Sequence, residues 1–321
     1  MKARHWAAIV APIAATLPVA AQAACGAASC LINTDWNAQG IYSEHGARVE
    51  VRYEYLDQDQ LRSGSSKIST GETQQHHDEV YTRNQALFAT LDYNFASGWG
   101  ISAVVPVLDR QHEHIHNHHG EQIPEKWDYT ELGDVRVVGR YQFPLGTPDA
   151  ARPQLAGVLF GVKLPTGSTT VENDEGERAE RSLQPGTGTT DALLGAYYQV
   201  RLPADGLSFF VQGGVGVPLN EYREYKPGNR VTADLGMSYA ATDKLSLLLQ
   251  LNSLWKAHDT GGESEPDDSG GTFVFLSPGI SVALGRNVQV FGLVQLPIYQ
   301  YVRGVQLTAD WGATAGVGYR F

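Results

Sequence analysis

Arg48-Val49-Glu50-Val51-Arg52-Tyr53-Glu54-Tyr55 alternates charged and apolar residues without a break. Successive side chains on a strand point to opposite faces, so an extended reading puts Val49, Val51, Tyr53 and Tyr55 on one wall and four charges on the other. A soluble sandwich would bury the apolar wall against a second sheet, whereas a membrane barrel turns it to lipid and lines a lumen with the charges. The start of the chain bears on the choice. Lys2 and Arg4 precede an apolar run from Trp6 to Ala20 that ends in Ala21-Gln22-Ala23, the pattern of a secretory signal peptide cut after Ala23. Beyond it no stretch approaches the roughly 18 to 20 consecutive apolar residues of a membrane helix. Only helices and closed barrels satisfy every backbone group in lipid. The expectation is therefore an all-β, up-and-down, transmembrane antiparallel β-barrel in the outer membrane of a Gram-negative cell; composition alone does not reject a soluble periplasmic protein.

From Gly46 onward the two-residue rhythm recurs in about twelve segments, near 46–58, 79–96, 98–108, 130–143, 154–165, 187–202, 207–219, 229–240, 244–256, 271–284, 287–299 and 306–321. The links alternate as outer-membrane topology requires. The links 96–98, 203–206, 241–243 and 285–287 are short and face inside; 59–78, 109–129, 166–186, 220–228, 257–270 and 300–305 face the outside; Pro144 to Pro153 is an inner link longer than its siblings. Residues 1–23 form the signal, 24–45 a periplasmic tail and 46–321 the barrel. The last strand, Thr314-Ala315-Gly316-Val317-Gly318-Tyr319-Arg320-Phe321, places Trp311, Tyr319 and Phe321 on one face with Leu307, Ala309, Ala313, Ala315 and Val317. It looks like the strand by which the outer-membrane assembly machinery accepts its substrates. Outer-membrane lipid, that machinery and a small-molecule permeant are the expected partners. The 35 Asp and Glu against 24 Lys and Arg disfavour nucleic acid.

Two features repeat from strand to strand. Upward strands end in apolar-Pro motifs at Pro106, Pro165, Pro218 and Pro297, where a residue without an N–H is expected to bulge or leave the ladder. Downward strands carry an acid near the top, at Asp134, Asp191, Asp234 and Asp310, on the face opposite the apolar set.

The stretches Leu132-Gly133-Asp134-Val135-Arg136, Val162-Lys163-Leu164-Pro165-Thr166-Gly167 and Leu183-Gln184-Pro185-Gly186-Thr187-Gly188-Thr189-Thr190-Asp191, with Leu193-Leu194-Gly195-Ala196-Tyr197-Tyr198 after them, resemble the outer-membrane transporter family of the MetA pathway of phenol degradation. The resemblance covers residues 46 to 321 and implies uptake of small, apolar or aromatic compounds. Its motifs are structural, and neither the histidine tract nor the cysteine pair matches them.

Lumen-lining candidates are Arg48, Glu50, Arg52, Glu54, Asp134, Arg136, Arg140, Asp191, Arg230, Asp234 and Asp310, joined by Asp92, Lys163, Arg201 and Arg320. They can pair across strands to stiffen the wall or form a constriction that selects permeants. Phe88, Phe160, Phe210, Phe291 and Tyr197 can face either way, and inward rings would suit a small apolar solute. The link Gln111 to Glu121 carries His112, His114, His116 and His118 at alternate positions, with His76, His77 and His258 in other outer links. One reading is weak capture of Zn²⁺, Cu²⁺ or Ni²⁺, and the other a plain solvated loop. The charge run 171–181 reads as solvated. Cys25 and Cys30, the two cysteines, are expected to form a disulfide in an oxidising compartment; Gln22 stands where a lipoprotein signal wants Leu. No other cofactor is expected. With all ten histidines assigned to the signal, the tail or outer links, a wall-mounted Ser-His pair is unavailable and no enzyme is expected. The leading function is a channel or transporter for small, hydrophobic or aromatic molecules. The alternative is a barrel scaffold whose tail docks a periplasmic partner while the histidine link collects metal.

Overall fold

A computed structural model describes residues 45–73, 77–118, 121–146 and 152–321. The expected signal peptide, residues 24–44 of the expected tail and the cysteine pair lie outside the described residues. Fourteen strands follow in order: β1 (Gly46–Ser63), β2 (Ser66–Lys67), β3 (His77–Asn94), β4 (Trp99–His118), β5 (Glu121–Leu132), β6 (Arg136–Leu145), β7 (Gln154–Lys163), β8 (Asp191–Leu202), β9 (Leu207–Pro218), β10 (Arg230–Ala240), β11 (Leu245–Lys256), β12 (Gly271–Ala283), β13 (Val288–Val302) and β14 (Val305–Arg320). Neighbours pair antiparallel, and β14 returns to β1 from Arg48↔Arg320 to Ser63↔Val305, which closes the sheet. β2 is a two-residue return on the end of β1. β5 and β6 share one place beside β4, β5 from Val107 to His118 and β6 from Trp99 to Val104. The wall is thus a closed, antiparallel, twelve-stranded barrel.

Alternation sorts the faces. Val49, Val51 and Tyr53 are exposed outward while Glu50, Arg52 and Glu54 are buried inward. Rings gather at the end that holds the short links, where Trp99 meets Tyr141 at 4.8 Å, Tyr93 meets Phe95 at 4.8 Å and Tyr319 meets Phe321 at 4.9 Å. This is one aromatic girdle of an apolar band that a bilayer covers.

At the opposite end the wall rises higher on one side. β4 has 20 residues, against the roughly 9 to 11 a membrane-spanning strand needs. Its outward face changes from Trp99, Ile101, Val105 and Val107 to Asp109, Gln111 and Glu113. Across from these, β5 presents Lys126, which pairs with Glu113 at 3.1 Å, and Thr130, which donates to Asp109 at 2.7 Å. The upper half of the β4–β5 hairpin therefore stands in water above the band.

That extension corrects several expectations. The 109–129 link is strand, because its alternation of histidines with polar residues satisfies the ladder as well as the apolar pattern does below. His77, His112, His114, His116 and His118 accordingly lie in strands, so the exclusion of histidine from the wall does not stand. The segment 130–143 is broken at Gly133-Asp134-Val135, where the carboxylate turns inward. Asp310 is exposed and off the lumen: Asp57 pairs with Trp311 and Gln58 with Ala309, so Asp310 is the residue a bulge leaves unpaired. The same slip turns Leu307 and Ala309 inward, away from Trp311. The prolines behave as their missing N–H requires. Pro165 lies past β7, Pro218 ends β9, Pro297 borders a register shift against Val274 and Phe275, and Pro106 sits where β4 exchanges β6 for β5.

Candidate functional site

Arg48, Glu50, Arg52, Glu54, Asp92, Asp134, Arg136, Arg140, Lys163, Asp191, Arg230, Asp234 and Arg320 lie on the lumenal face, with Arg201 at the short-link rim. Most of their charges are satisfied by one another. Arg48 meets Glu50 at 2.6 Å and Asp92 at 3.5 Å, Arg52 meets Glu54 at 2.7 Å, and Asp234 accepts from Asn252 at 2.9 Å. Phe88, Tyr197, Phe210 and Phe291 are buried inward, and Phe160 faces out. An apolar patch also faces inward near the outer rim, formed by Leu56, Leu254, Phe273, Phe275, Val302 and Ala309; the slips at Asp310 and Ile298 bring the last two into it. Alternation within β1 and β11 reaches Leu56 and Leu254, whereas Val302 and Ala309 lie beyond the slips.

The link between β7 and β8 crosses the lumen. Asp134 pins both of its ends, accepting from the Gly167 and Thr187 amides at 3.0 Å each. Lys163 bridges Asp134 at 2.8 Å and Asp191 at 3.3 Å, and Arg230 meets Asp191 at 3.1 Å. Gly167 and Gly186 touch so closely that a Cβ on Gly186 would lie 2.3 Å from the Gly167 carbonyl oxygen. From this lock the chain runs out to an exposed tip, Asp174 to Arg178, and returns through a buried limb. There Leu183, at 0 % exposure, shares a cluster with Leu61, Val305 and Leu307 from the far wall and with Trp127 and Ala179. The Leu183 carbonyl accepts from Arg110 and Tyr129, and Trp127 Nε1 donates to the Glu177 carbonyl at 3.1 Å. The 171–181 run is therefore solvated only at its tip. Its charges hid a docking limb that begins at Ala179, and the alternation of Ala179, Arg181 and Leu183 was the available signal.

Two further links complete a roof. Arg181 stacks over Tyr225 at 5.0 Å, Tyr225 donates to Asp259 at 3.0 Å, and Lys256 pairs with Asp259 at 2.9 Å. Asp268 accepts from the Val305 amide at 2.8 Å. Burial together with Asp259 pushes the Tyr225 hydroxyl well above its usual pKa.

Two cavities result, with no lining residue in common. The outer vestibule, about 840 Å³, lies between the roof and the β3–β5 extension and is lined by His77, His114, Glu125, Trp127, Glu180, Glu265 and Asp268 among others. It is acidic and crowded: burial, with Glu180, Glu79, Asp268 and Asp259 nearby, pushes Glu265 well above the usual carboxylate range. Burial and the neighbouring His114 and Arg110 hold His112 well below the usual histidine value. The inner chamber, about 250 Å³, is lined by Arg52, Phe88, Asp92, Arg136, Arg140, Leu159, Leu193, Arg230 and Leu254 among others, with Asp92 paired to Arg48. Arg52 and Arg230 are ion-paired there. Among the described residues Arg136 and Arg140 have no carboxylate within 4.0 Å, and Arg140 donates only to Asn94.

Three comparisons bear on this arrangement. Residues 99–311 match the family model described as "Putative MetA-pathway of phenol degradation". No curated protein matches the chain. Among solved structures, the COG4313 outer membrane channel from Pseudomonas putida F1 superposes with a TM-score of 0.63 at 13% identity, over 87% of this chain and 97% of that one. The translocator domain of the autotransporter NalP from Neisseria meningitidis gives 0.45 at 12%, over 89% and 91%. The toluene transporter TbuX from Ralstonia pickettii gives 0.40 at 11%, over 87% and 90%. The first shares the fold, and the other two are looser likenesses from which nothing follows.

Proposed function

The chain belongs to the family of the MetA pathway of phenol degradation, and from that premise we propose that it is an outer-membrane channel for small, largely apolar or aromatic molecules that carry one oxygen-bearing polar group. The observation that carries this reading is the inner chamber. Phe88, Leu159, Leu193 and Leu254 offer it an apolar wall, while Arg136 and Arg140 offer donors not spent on any carboxylate. A guanidinium is donor-only, with five N–H groups in a fixed fork, and it also stacks on rings. A carboxyl, phenol or carbonyl oxygen can occupy that fork while the body of the solute rests on the leucines. A solute ammonium would face two unpaired cations. The acidic vestibule above disfavours multiply charged anions, so the two cavities together select solutes of low charge.

The test is ion conductance of the purified barrel in planar bilayers, with solute added to one side. Benzyl alcohol and benzoate are expected to produce transient current blockades, and benzylammonium of the same size few. Arg136→Gln should remove most of the difference. A barrel that passes no current, or that benzylammonium blocks most strongly, refutes the reading.

A further inference from the structure

The histidines of β4 are a sequence motif that the proposed permeant recognition does not call on, and the fold surrounds them with partners. His112, His114 and His116 alternate on the inward face of the extension above the membrane band. A bulge at Val80 shifts the rhythm of β3, so that His77 and Glu79 face them: His116 lies across from His77, His114 from Glu79, and on the other side His114 from Glu125. The donor atoms then converge. His114 Nε2 lies 2.9 Å from Glu125 Oε2, His116 Nδ1 lies 3.0 Å from Glu125 Oε1, His77 Nδ1 lies 3.1 Å from Glu180 Oε1, and the His77 ring stacks on His114 at 4.3 Å. In the set His77, His114 and Glu180, and again in His77, His116 and Glu125, one ligand atom from each residue lies within 4.8 Å of the others.

We propose that this corner of the vestibule binds one divalent transition ion of the Zn²⁺ type, held by His77 and His114 of the wall and by Glu180 of the link that crosses the lumen, with Glu125 hydrogen-bonded to His114 beside it. Metal–nitrogen bonds of about 2.0 to 2.1 Å put neighbouring ligands of a tetrahedral ion about 3.3 Å apart. The His77 Nδ1 to Glu180 Oε1 separation of 3.1 Å is within a small adjustment of that spacing, and the ligand atoms of His77, His114 and Glu180 all lie within 4.8 Å of one another. Imidazole with carboxylate suits Zn²⁺, Cu²⁺ or Ni²⁺, and all-oxygen cages suit Ca²⁺ or Mg²⁺. A second feature points to a cation: the remaining oxygen of Glu180, Oε2, is buried with no hydrogen-bond partner, and so is Oε2 of Glu265 on the same vestibule wall. The site differs from the tract read in the sequence. His118 ends β4 opposite Glu121, while His77 and Glu180 come from two other segments. Because Glu180 belongs to the crossing link, an ion here also ties that link to the β3–β5 wall.

The inference does not rest on the permeant, and its test does not need one. The mature chain, purified without a histidine tag and with its folded state checked by heat-modifiable migration, is titrated with Zn²⁺ alone by calorimetry and its bound metal counted by mass spectrometry. One ion per chain is expected, with Glu180→Gln and His77→Gln each weakening binding at least tenfold and His258→Gln, in another link, having no effect. Zn²⁺ should also slow tryptic cleavage after Arg181 in the parent and not in Glu180→Gln. Absence of stoichiometric binding, or binding that His77→Gln leaves intact, overturns the site. Binding that Glu180→Gln leaves intact overturns the bridge between link and wall.

Discussion

Truncating Leu183 tests what holds the crossing link in the lumen. The side chain is wholly buried among Leu61, Trp127, Val305 and Leu307. Leu183→Ala removes three carbons from that cluster; at about 0.8 kcal/mol per buried carbon the transfer loss is about 2.4 kcal/mol, and a residual cavity raises it to about 3 kcal/mol. Since 1.4 kcal/mol is a factor of ten, the ratio of undocked to docked link rises on the order of a hundredfold. The hydrogen bonds from Arg110 and Tyr129 go to the backbone carbonyl and survive the change. Arg181 is 9 % exposed when the link is docked, whereas Arg178 at the tip is exposed already. Tryptic cleavage after Arg181 therefore reports undocking, and its rate follows the open population when closing is faster than cutting. The variant is expected to be cut after Arg181 on the order of a hundred times faster, and to show larger and noisier single-channel currents. If both stay at parent values in a variant that is still folded by heat-modifiable migration, Leu183 is not what docks the link.

Other substitutions probe the lock, the chamber and the wall. Lys163→Met leaves Asp134 and Asp191 facing each other without the lysine, and breaking a buried pair in this way costs about 3 kcal/mol or more; a lower urea midpoint for loss of the folded band is expected. Arg136→Gln should leave that midpoint near the parent value while narrowing the difference between benzoate and benzylammonium in current blockade. Gly316→Val forces the Phe291 ring, whose Cζ already lies 2.5 Å from where a Cβ would stand, away from the wall. It should cost about 1 to 3 kcal/mol and lower conductance, and an unchanged conductance would mean that the ring moves along the wall instead of into the lumen.

The barrel was legible because lipid imposes one rule on every strand. Val49 to Tyr55 and Val317 to Phe321 state that rule plainly, and the boundaries drawn from it fall within a few residues of the strands between 154 and 256. Above the membrane the rule lapses. Once water bathes the outer face, a strand such as Arg110 to Asn117 carries polar residues on both sides and reads as a loop. The bulges at Val80 and Asp310 each consume one residue, so alternation carried across them assigned the wrong face to Leu307, Ala309 and Asp310. The lock was visible in part, since Asp134, Lys163 and Asp191 stand in the motifs that carry the family resemblance. That these motifs meet at the two ends of one link needs the fold, because the meeting depends on where β6 stops beside β4. Glu125 lay in a segment read as a polar outer link, and Glu180 in a run read as solvated charge.

The pairing of β14 with β1 joins the first strand of the barrel to the last, from Arg48↔Arg320 to Ser63↔Val305; every other pair of wall strands among the described residues has at most one other strand between its members along the chain. Until that seam zips, the sheet has two free edges, each a row of unsatisfied amides that can recruit a stray strand. Such a contact is also the most expensive in loop entropy, because nearly the whole polypeptide must be gathered before it forms. A chain lacking its final eight residues should therefore stall as an open, self-associating curl, and a heat-modifiable species should appear only when both edges have found each other.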